Sequence, residues 1–310
     1  MSLGTIQQIN QGLLDLTLFF VHETFDDWEF DHWVRVFYQR LEKLGISRPG
    51  CVKVVLGTKL DHIPQHPVVR WIFYPWFAAL SQQTALRQLP QGRPDLVDPN
   101  SKPQRFLSLT GADKPHRYLL IKYLEWLGCA DQGVITWNHN HVDRDPGSRL
   151  SALPEFQAWL HNNPGGDPRY ISVQDPSTGI KKGWFAAAKF YEQAGWDVIQ
   201  EYTADLAQGV FLTEKPWRSM LMGVPFVING GRGSLRVLRD LGYQTFDGII
   251  DESYDDIADP GLRIQAVAHQ VQRICTQSLP WHDIEPRVRH NQDLAWREVH
   301  LARLHELLSA

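Results

Sequence analysis

The chain is poor in sulfur, with three methionines and three cysteines, Cys51, Cys129 and Cys275, in 310 residues. The cysteines are far apart, odd in number and in no CxxC arrangement, which argues against a disulfide framework or a cysteine-built zinc site. Three buried thiols are expected. There is no excess of one charge either: 31 Lys plus Arg stand against 35 Asp plus Glu, a formal charge of -4. Such a balance gives no general attraction to nucleic acid or anionic lipid, and leaves room only for a local basic pocket. No apolar run reaches the ~18 residues of a membrane span. The opening MSLGTIQQINQGLLDLTLFF has no basic leader followed by a long apolar core and a small-residue cleavage site, so a cytoplasmic protein without an integral membrane segment is expected. GxGxxG and GxxxxGK[ST] are also missing, and with them the dinucleotide fingerprint and the P-loop.

What is present is a hydrophobic content of 43%, enough for one large core or two modest ones. Twelve tryptophans run from Trp28 to Trp296 without a stripe. Core packing is their main expected use, with stacking on sugars or bases as the other. LDLTLFFVHETF (14–25) reads as a buried strand, DDWEFDHWVRVFYQRLEKLG (26–45) as a helix closed by a glycine, and CVKVVLGT (51–58) as a second strand. VVRWIFYPWFAAL (68–80) fits a third strand or an apolar helix. Four prolines in LRQLPQGRPDLVDPNSKPQ (86–104) mark a linker or long loop. RFLSLTG (105–111) then opens a new unit, followed by a helix from near Pro115, a strand at GVITW (133–137) and a polar loop to Ser151. SALPEFQAWLHNNPGG contains a short helix that stops at its Pro-Gly-Gly.

From 184 onward helix, strand and glycine turn alternate: WFAAAKFYEQAG, WDVIQEYT, VFLTEK, PWRSMLMG, VPFVIN, GGRGSLRVLRDLG and a last strand-like QTFDGII. A helix over 258–277 and a mostly helical remainder complete the chain. The expected fold is α/β, with parallel sheets covered by helices, in an N-terminal domain over 1–98, a second domain over 99–278 and a helical extension over 279–310. In such sheets, ligands bind beyond the C-terminal ends of the strands.

FLTEKPWRSM sits at such an end. Pro216 fits the first turn of a helix, so Glu214 and Lys215 fall at a strand-to-helix junction. Unpaired N–H groups there favour an anion, Lys215 adds an ammonium, and Arg218 one turn on adds a fork of donors. Glu214 would repel phosphate but can take two hydrogen bonds from a ribose diol. An ordinary surface pair is the alternative reading of Glu214 and Lys215. In NGGRGSL (229–235), Ser234 is the candidate N-cap and Arg232 is expected to be exposed.

Around these residues, EYTADLAQGVFLTEKPWRSMLMGVPFVINGGRGSLRVLRDLGYQTFDGIIDESYDD resembles the donor-side motif of glycosyltransferases of the two-domain GT-B architecture, and of the α1,3-fucosyltransferases in particular. It also resembles uncharacterised bacterial and phage proteins that carry the same TEK sequence. The resemblance implies two Rossmann-like domains facing a cleft, with 1–98 on the acceptor side and 99–278 holding the nucleotide-sugar donor. It also implies Glu214 on ribose and Lys215 on diphosphate, with Thr213 of the same TEK also at the nucleotide. KPQRFLSLTGADKPHRYLLIKYLEWLGCADQGVITW (102–137) is similar to the start of that donor domain and puts Arg117 on the diphosphate, with His116 beside it. The strand reads SLTG where fucosyltransferases carry a Glu-Asn pair. Glu201, which ends the strand WDVIQEYT, corresponds to an acid that meets the donor sugar.

An acceptor hydroxyl needs a base in an inverting transfer. Glu23 is the first candidate and His22 the second, with Asp26 and Asp27 beside them. Capping and solvating the following helix is the plainer use of all four. Asp61 and His62 are weaker candidates. His139, His141, Asp143 and Asp145 could share a side of an extended loop, but no distant further ligand is identifiable and no metal is assigned. Trp137 is a candidate stacking surface there. Asp251, Glu252, Ser253 and Tyr254 read as a solvated acidic turn or as a device orienting the opposite loop.

The expected function is transfer of a hexosyl- or fucosyl-type sugar from a nucleoside-diphosphate sugar to a glycan or other hydroxyl acceptor. No cofactor or metal is required, because Lys215 and Arg117 would carry the diphosphate charge. A non-catalytic carbohydrate- or nucleotide-binding protein of the same fold is the alternative.

Overall fold

In the computed structural model, residues 1–20, 27–89, 91–110, 114–137, 150, 153–162, 188–205, 209–297 and 299–309 are described. The chain divides into two compact units. The smaller comprises Met1–Trp76, Leu206–Phe211 and Val299–Ala310, and the larger Phe77–Asp205 and Leu212–Glu298. The long apolar stretch over 68–80 is therefore split between them. Pro75 disfavours helix at the residue before it, and the segment is strand β4 (Val69–Phe73) before the proline and helix α3 (Trp76–Gln88) after it.

In the smaller unit, β1 (Leu16–Phe20), β2 (Val52–Leu56) and β4 form a parallel sheet in the order β1-β2-β4. Helix α2 (Asp27–Lys43) supplies Phe30, Val34 and Leu41 to a core shared with Val52, Val54 and Leu56. Gly45, at φ 70°, follows α2 as expected. β1 is an edge strand and only half-buried, with Phe19 48% exposed, so the expected buried strand there is corrected. α1 (Leu3–Asn10), capped by Ser2, and β3 (Thr58–Leu60) had no sequence reading of their own, whereas the short strand or strand end read at VFLTEK corresponds to β8 (Gly209–Phe211), which pairs antiparallel with β3.

The larger unit is built on β5 (Gln104–Thr110), β6 (Gly133–Trp137), β7 (Ala194–Gln200) and β9 (Phe226–Asn229), all parallel, in the order β6-β5-β7-β9. Every residue of β7 and β9 is buried, as a sheet covered on both faces requires. α4 (Pro115–Trp126) joins β5 to β6, and α9 (Pro260–Thr276) packs against α4, β5 and β9. α6 (Ala188–Gln193), α7 (Lys215–Leu221) and α10 (Trp281–Trp296) make a second group, α6 and α7 on β7 and α10 on α7. α5 (Pro154–Asn162) packs on α4. The last described helix, α11 (Val299–Ser309), returns to the smaller unit, where Lys53 Nζ donates to the Leu308 carbonyl.

This is the expected α/β class, with parallel sheets flanked by helices in a Rossmann-like arrangement. QTFDGII is not a strand; it forms only an isolated bridge between Asp247 and Ile250. Its backbone is taken by side chains: Phe246 N donates to Glu252 Oε1 at 2.5 Å, and Arg287 donates to the carbonyls of Thr245 and Asp247. No described helix is long and apolar enough to cross a membrane.

Candidate functional site

From β5 the chain winds to β6 on one side, and from β7 it winds to β9 on the other. The order of winding therefore reverses between β5 and β7, and the crevice beyond their C-terminal ends is where such sheets bind ligands. Into this place come the end of β7 at Gln200 and Glu201, the end of β9 at Asn229, the start of α4, and the turn leading into α7. A polar chain crosses the three strands. Gln200 Nε2 donates to Ser108 Oγ at 3.1 Å, and Asn229 Nδ2 donates to Gln200 Oε1 at 2.7 Å and to the His116 carbonyl at 3.2 Å.

Glu201 is the hub. Its side chain is fully buried and accepts from the Thr213 hydroxyl at 2.6 Å, the Thr213 N–H at 3.2 Å and the Tyr202 N–H at 3.2 Å. Its carbonyl accepts from His116 Nε2 at 3.0 Å and from the Arg117 guanidinium at 2.8 Å. Burial raises the Glu201 carboxyl above its usual range, and Lys215 and Thr213 oppose that rise. The N–H and hydroxyl groups of neighbouring residues thus occupy the acid that the sequence reading set against donor hydroxyls.

His116 and Arg117 lie in the first turn of α4, both nearly inaccessible. His116 faces a carbonyl oxygen, which fixes Nε2 as its donor. Burial and the nearby charges of Arg117, Lys114 and Lys215 hold its pKa well below the ordinary value, so the ring is neutral at pH 7.

Lys215 opens α7, with Pro216 in the first turn as the sequence required. Its Nζ donates to Thr213 Oγ1 at 2.7 Å and stands 3.5 Å from Glu214 Oε1 and 3.9 Å from Glu201 Oε2. Glu214 keeps 21% of its side chain exposed, and its carbonyl accepts weakly from Ser81 Oγ at 3.5 Å. Burial pushes the Glu214 carboxyl up, but Lys215 and Arg218 outweigh it and bring the pKa to about 2. Glu214 is therefore an anion across the neutral range.

Arg218 belongs to another network. Its Nε donates to the Tyr191 hydroxyl at 2.8 Å, which donates to Asp197 Oδ2 at 2.7 Å; Ser219 Oγ donates to the same oxygen at 2.6 Å. This set fastens α7 to β7 through α6, and so fixes where Glu214 and Lys215 stand. Ser234 is the first residue of α8 (Ser234–Asp240), and the N-cap is Gly233, at φ 83°. The expected cap is corrected: the carboxylate of Asp255 takes the N–H groups of Leu235 and Arg236, each at 3.0 Å. Arg232 is exposed. Trp137 is 1% exposed and packs in the core, so it offers no stacking surface. Asp251 caps a 3-10 helix, Glu252–Asp256, in which Glu252 and Tyr254 are buried; the solvated turn is replaced by a packed one.

His22, Glu23 and Asp26 lie outside the described residues, as do His139, His141, Asp143 and Asp145. Asp27 begins α2, and Asp61 and His62 are exposed beyond β3. Among the described residues, no group of three or more His, Cys, Asp or Glu is placed to hold a metal. A separate pocket of about 250 Å³ opens at the other end of the sheet, by Lys102, Tyr191, Gly195 and Pro225, and none of the expected nucleotide residues lines it.

Sequence reasoning passed over Lys114, Tyr202, Asn229 and Arg263. Arg263 of α9 donates to the carbonyls of Gly230 at 3.1 Å, Ile257 at 2.5 Å and Ala204, which ties the glycine turn after β9 to the segment after β7. For Lys114 a signal existed. DKPHR (113–117) and EKPWR (214–218) share acid, Lys, Pro, any residue, Arg, and each precedes or opens a helix at this edge of the sheet. Protein-family models, curated proteins and solved structures were all compared with the chain, and none matches it.

Proposed function

We propose that the protein is a glycosyltransferase that binds a nucleoside-diphosphate sugar in this crevice and transfers the sugar to a glycan or other hydroxyl acceptor. The observation that carries the reading is the gathering of three cations at Glu201 and Tyr202, where the winding of the sheet reverses: Arg117 on the Glu201 carbonyl, Lys215 3.9 Å from its carboxylate and Lys114 at the Tyr202 ring, with Glu214 3.5 Å from Lys215. Clustered cations suit a diphosphate, and fixed positive charge stabilises the negative charge that grows on a departing nucleoside diphosphate. Lys215 acts directly through its ammonium. Arg117 acts from behind as a charge, because its guanidinium is engaged by the carbonyls of Gln200 and Glu201. Glu214 takes the ribose diol. A GT-B arrangement would have the smaller unit present the acceptor, with Glu23 or His22 removing its proton.

Titration calorimetry with UDP, GDP, CDP and dTDP tests the site. Lys215→Ala should weaken the nucleotide that binds by at least ~tenfold, the size of one charge-assisted contact. Unchanged affinity overturns the assignment. Donor hydrolysis, or transfer to a mixed glycan pool, then separates an enzyme from the alternative of a protein that binds nucleotide or carbohydrate without chemistry; binding with neither reaction supports the alternative. That alternative draws on the tight internal pairing of Glu201 and Arg117, which leaves neither free to meet a substrate directly.

A further inference from the structure

Three aromatic residues among those described keep more than a third of their surface exposed: Phe19, Trp126 and Tyr202. Phe19 is in the smaller unit and Trp126 ends α4, far along the helix from its cationic start. Only Tyr202, 38% exposed, stands beside the crevice, two residues past the end of β7. Its position is fixed from two sides. The Tyr202 N–H donates to Glu201 Oε2 at 3.2 Å, and Lys114 Nζ stands 3.5 Å from the centroid of its ring. Lys114 itself is 1% exposed, so the ammonium lies beneath the ring as part of the interior.

We propose that Tyr202 is the platform on which the base of the bound nucleotide stacks, with Lys114 as the cation under the platform. This rests on the reading of the crevice as a nucleoside-diphosphate site. The charge beneath the ring decides between a base and a sugar as the stacked group. An aromatic face attracts positively polarised C–H groups, as on a pyranose, through its negative quadrupole. A cation 3.5 Å away draws on the same electrons and weakens the opposite face for such contacts. Base stacking relies on dispersion and area, which a cation under the ring does not remove, and it tolerates any base because each has a π-face. Glu214 and Lys215 then hold the ribose and diphosphate of a ligand whose base lies over Tyr202.

The test compares nucleoside 5′-diphosphates with ribose 5-diphosphate, which lacks the base, on the full chain by titration calorimetry. Tyr202→Leu should weaken the nucleoside diphosphate by about tenfold or more and leave ribose 5-diphosphate unchanged, while Tyr202→Phe keeps the wild-type affinity for both within about twofold. Equal loss for both ligands, or no loss for either, overturns the platform. On the wild-type chain, irradiation with an azido-substituted nucleoside diphosphate should label the peptide containing Tyr202; labelling confined to other peptides also overturns it. A wild-type chain that binds ribose 5-diphosphate but gains nothing from the base removes the platform and leaves the diphosphate site standing. One that binds no nucleoside diphosphate at all removes the site reading, and the platform with it.

Discussion

Lys215 and Glu201 face each other through one hydroxyl: Lys215 Nζ donates to Thr213 Oγ1 at 2.7 Å, and Thr213 Oγ1 donates to Glu201 Oε2 at 2.6 Å. The direct distance from ammonium to carboxylate is 3.9 Å. A largely buried cation and a wholly buried acid are thereby parts of one unit, with a threonine that both gives and takes a hydrogen bond between them.

Thr213→Val keeps the shape and removes that hydroxyl. The buried carboxylate loses its shortest bond, and a hydrogen bond to a charged group is worth roughly 1.5–3 kcal/mol, so a loss of about 2 kcal/mol is expected in urea denaturation. Thr213→Ser should recover most of it. Equal stability of the Val and Ser variants would show that the hydroxyl carries no weight.

The second expectation concerns acid. Glu214 has a pKa of about 2 in the folded chain against an ordinary 4.5. A carboxyl held low contributes stability that is complete above the unfolded value and is lost as pH falls from about 4.5 towards 2. Glu214→Gln should thus cost on the order of 2 kcal/mol at pH 7, a figure kept below the full shift because a fifth of the side chain meets water. The gap between variant and parent should narrow as melts are recorded from pH 7 down to pH 3. A gap independent of pH would contradict the pairing with Lys215 and Arg218.

Arg263 is the third. Replacing it with Met retains bulk but strips the Gly230, Ile257 and Ala204 carbonyls of their donor. Each buried acceptor left unmatched costs roughly 1–3 kcal/mol, so a total of about 3 kcal/mol or more is expected, and amide exchange at Gly230 and Gly231 should quicken. Nucleotide affinity should fall as well, since this turn borders Glu201. Stability within ~0.5 kcal/mol of the parent would refute the tie.

Much of the larger unit was legible because its signals are local. RFLSLT, GVITW and VPFVIN are short apolar runs bounded by turn residues, and PHRYLLIKYLEW has the length and proline start of a helix. What was missed depends on partners distant in sequence. Thr58–Leu60 is a strand only because Gly209–Phe211 pairs with it. QTFDGII has the composition of a strand, yet Glu252 and Arg287 satisfy its backbone before another strand can. At the candidate site, the junctions were readable from Lys-Pro, but the commitments of each side chain were not. No spacing rule says that Arg117 holds the Glu201 carbonyl, that Arg218 turns to Tyr191, or that Asp255 caps a helix 20 residues upstream.

The smaller unit is stitched from three separated stretches, and this sets an order on its birth. β1, β2 and β4 are complete once Trp76 has been made, but β3 waits for Gly209–Phe211, and Lys53 waits for Leu308. At about 5–20 residues per second, synthesis leaves that first sheet without its last partners for some tens of seconds. The larger unit meanwhile gains the whole of its own sheet. Residues 1–76 are therefore made well before Gly209–Phe211 and Leu308, the partners that complete their unit.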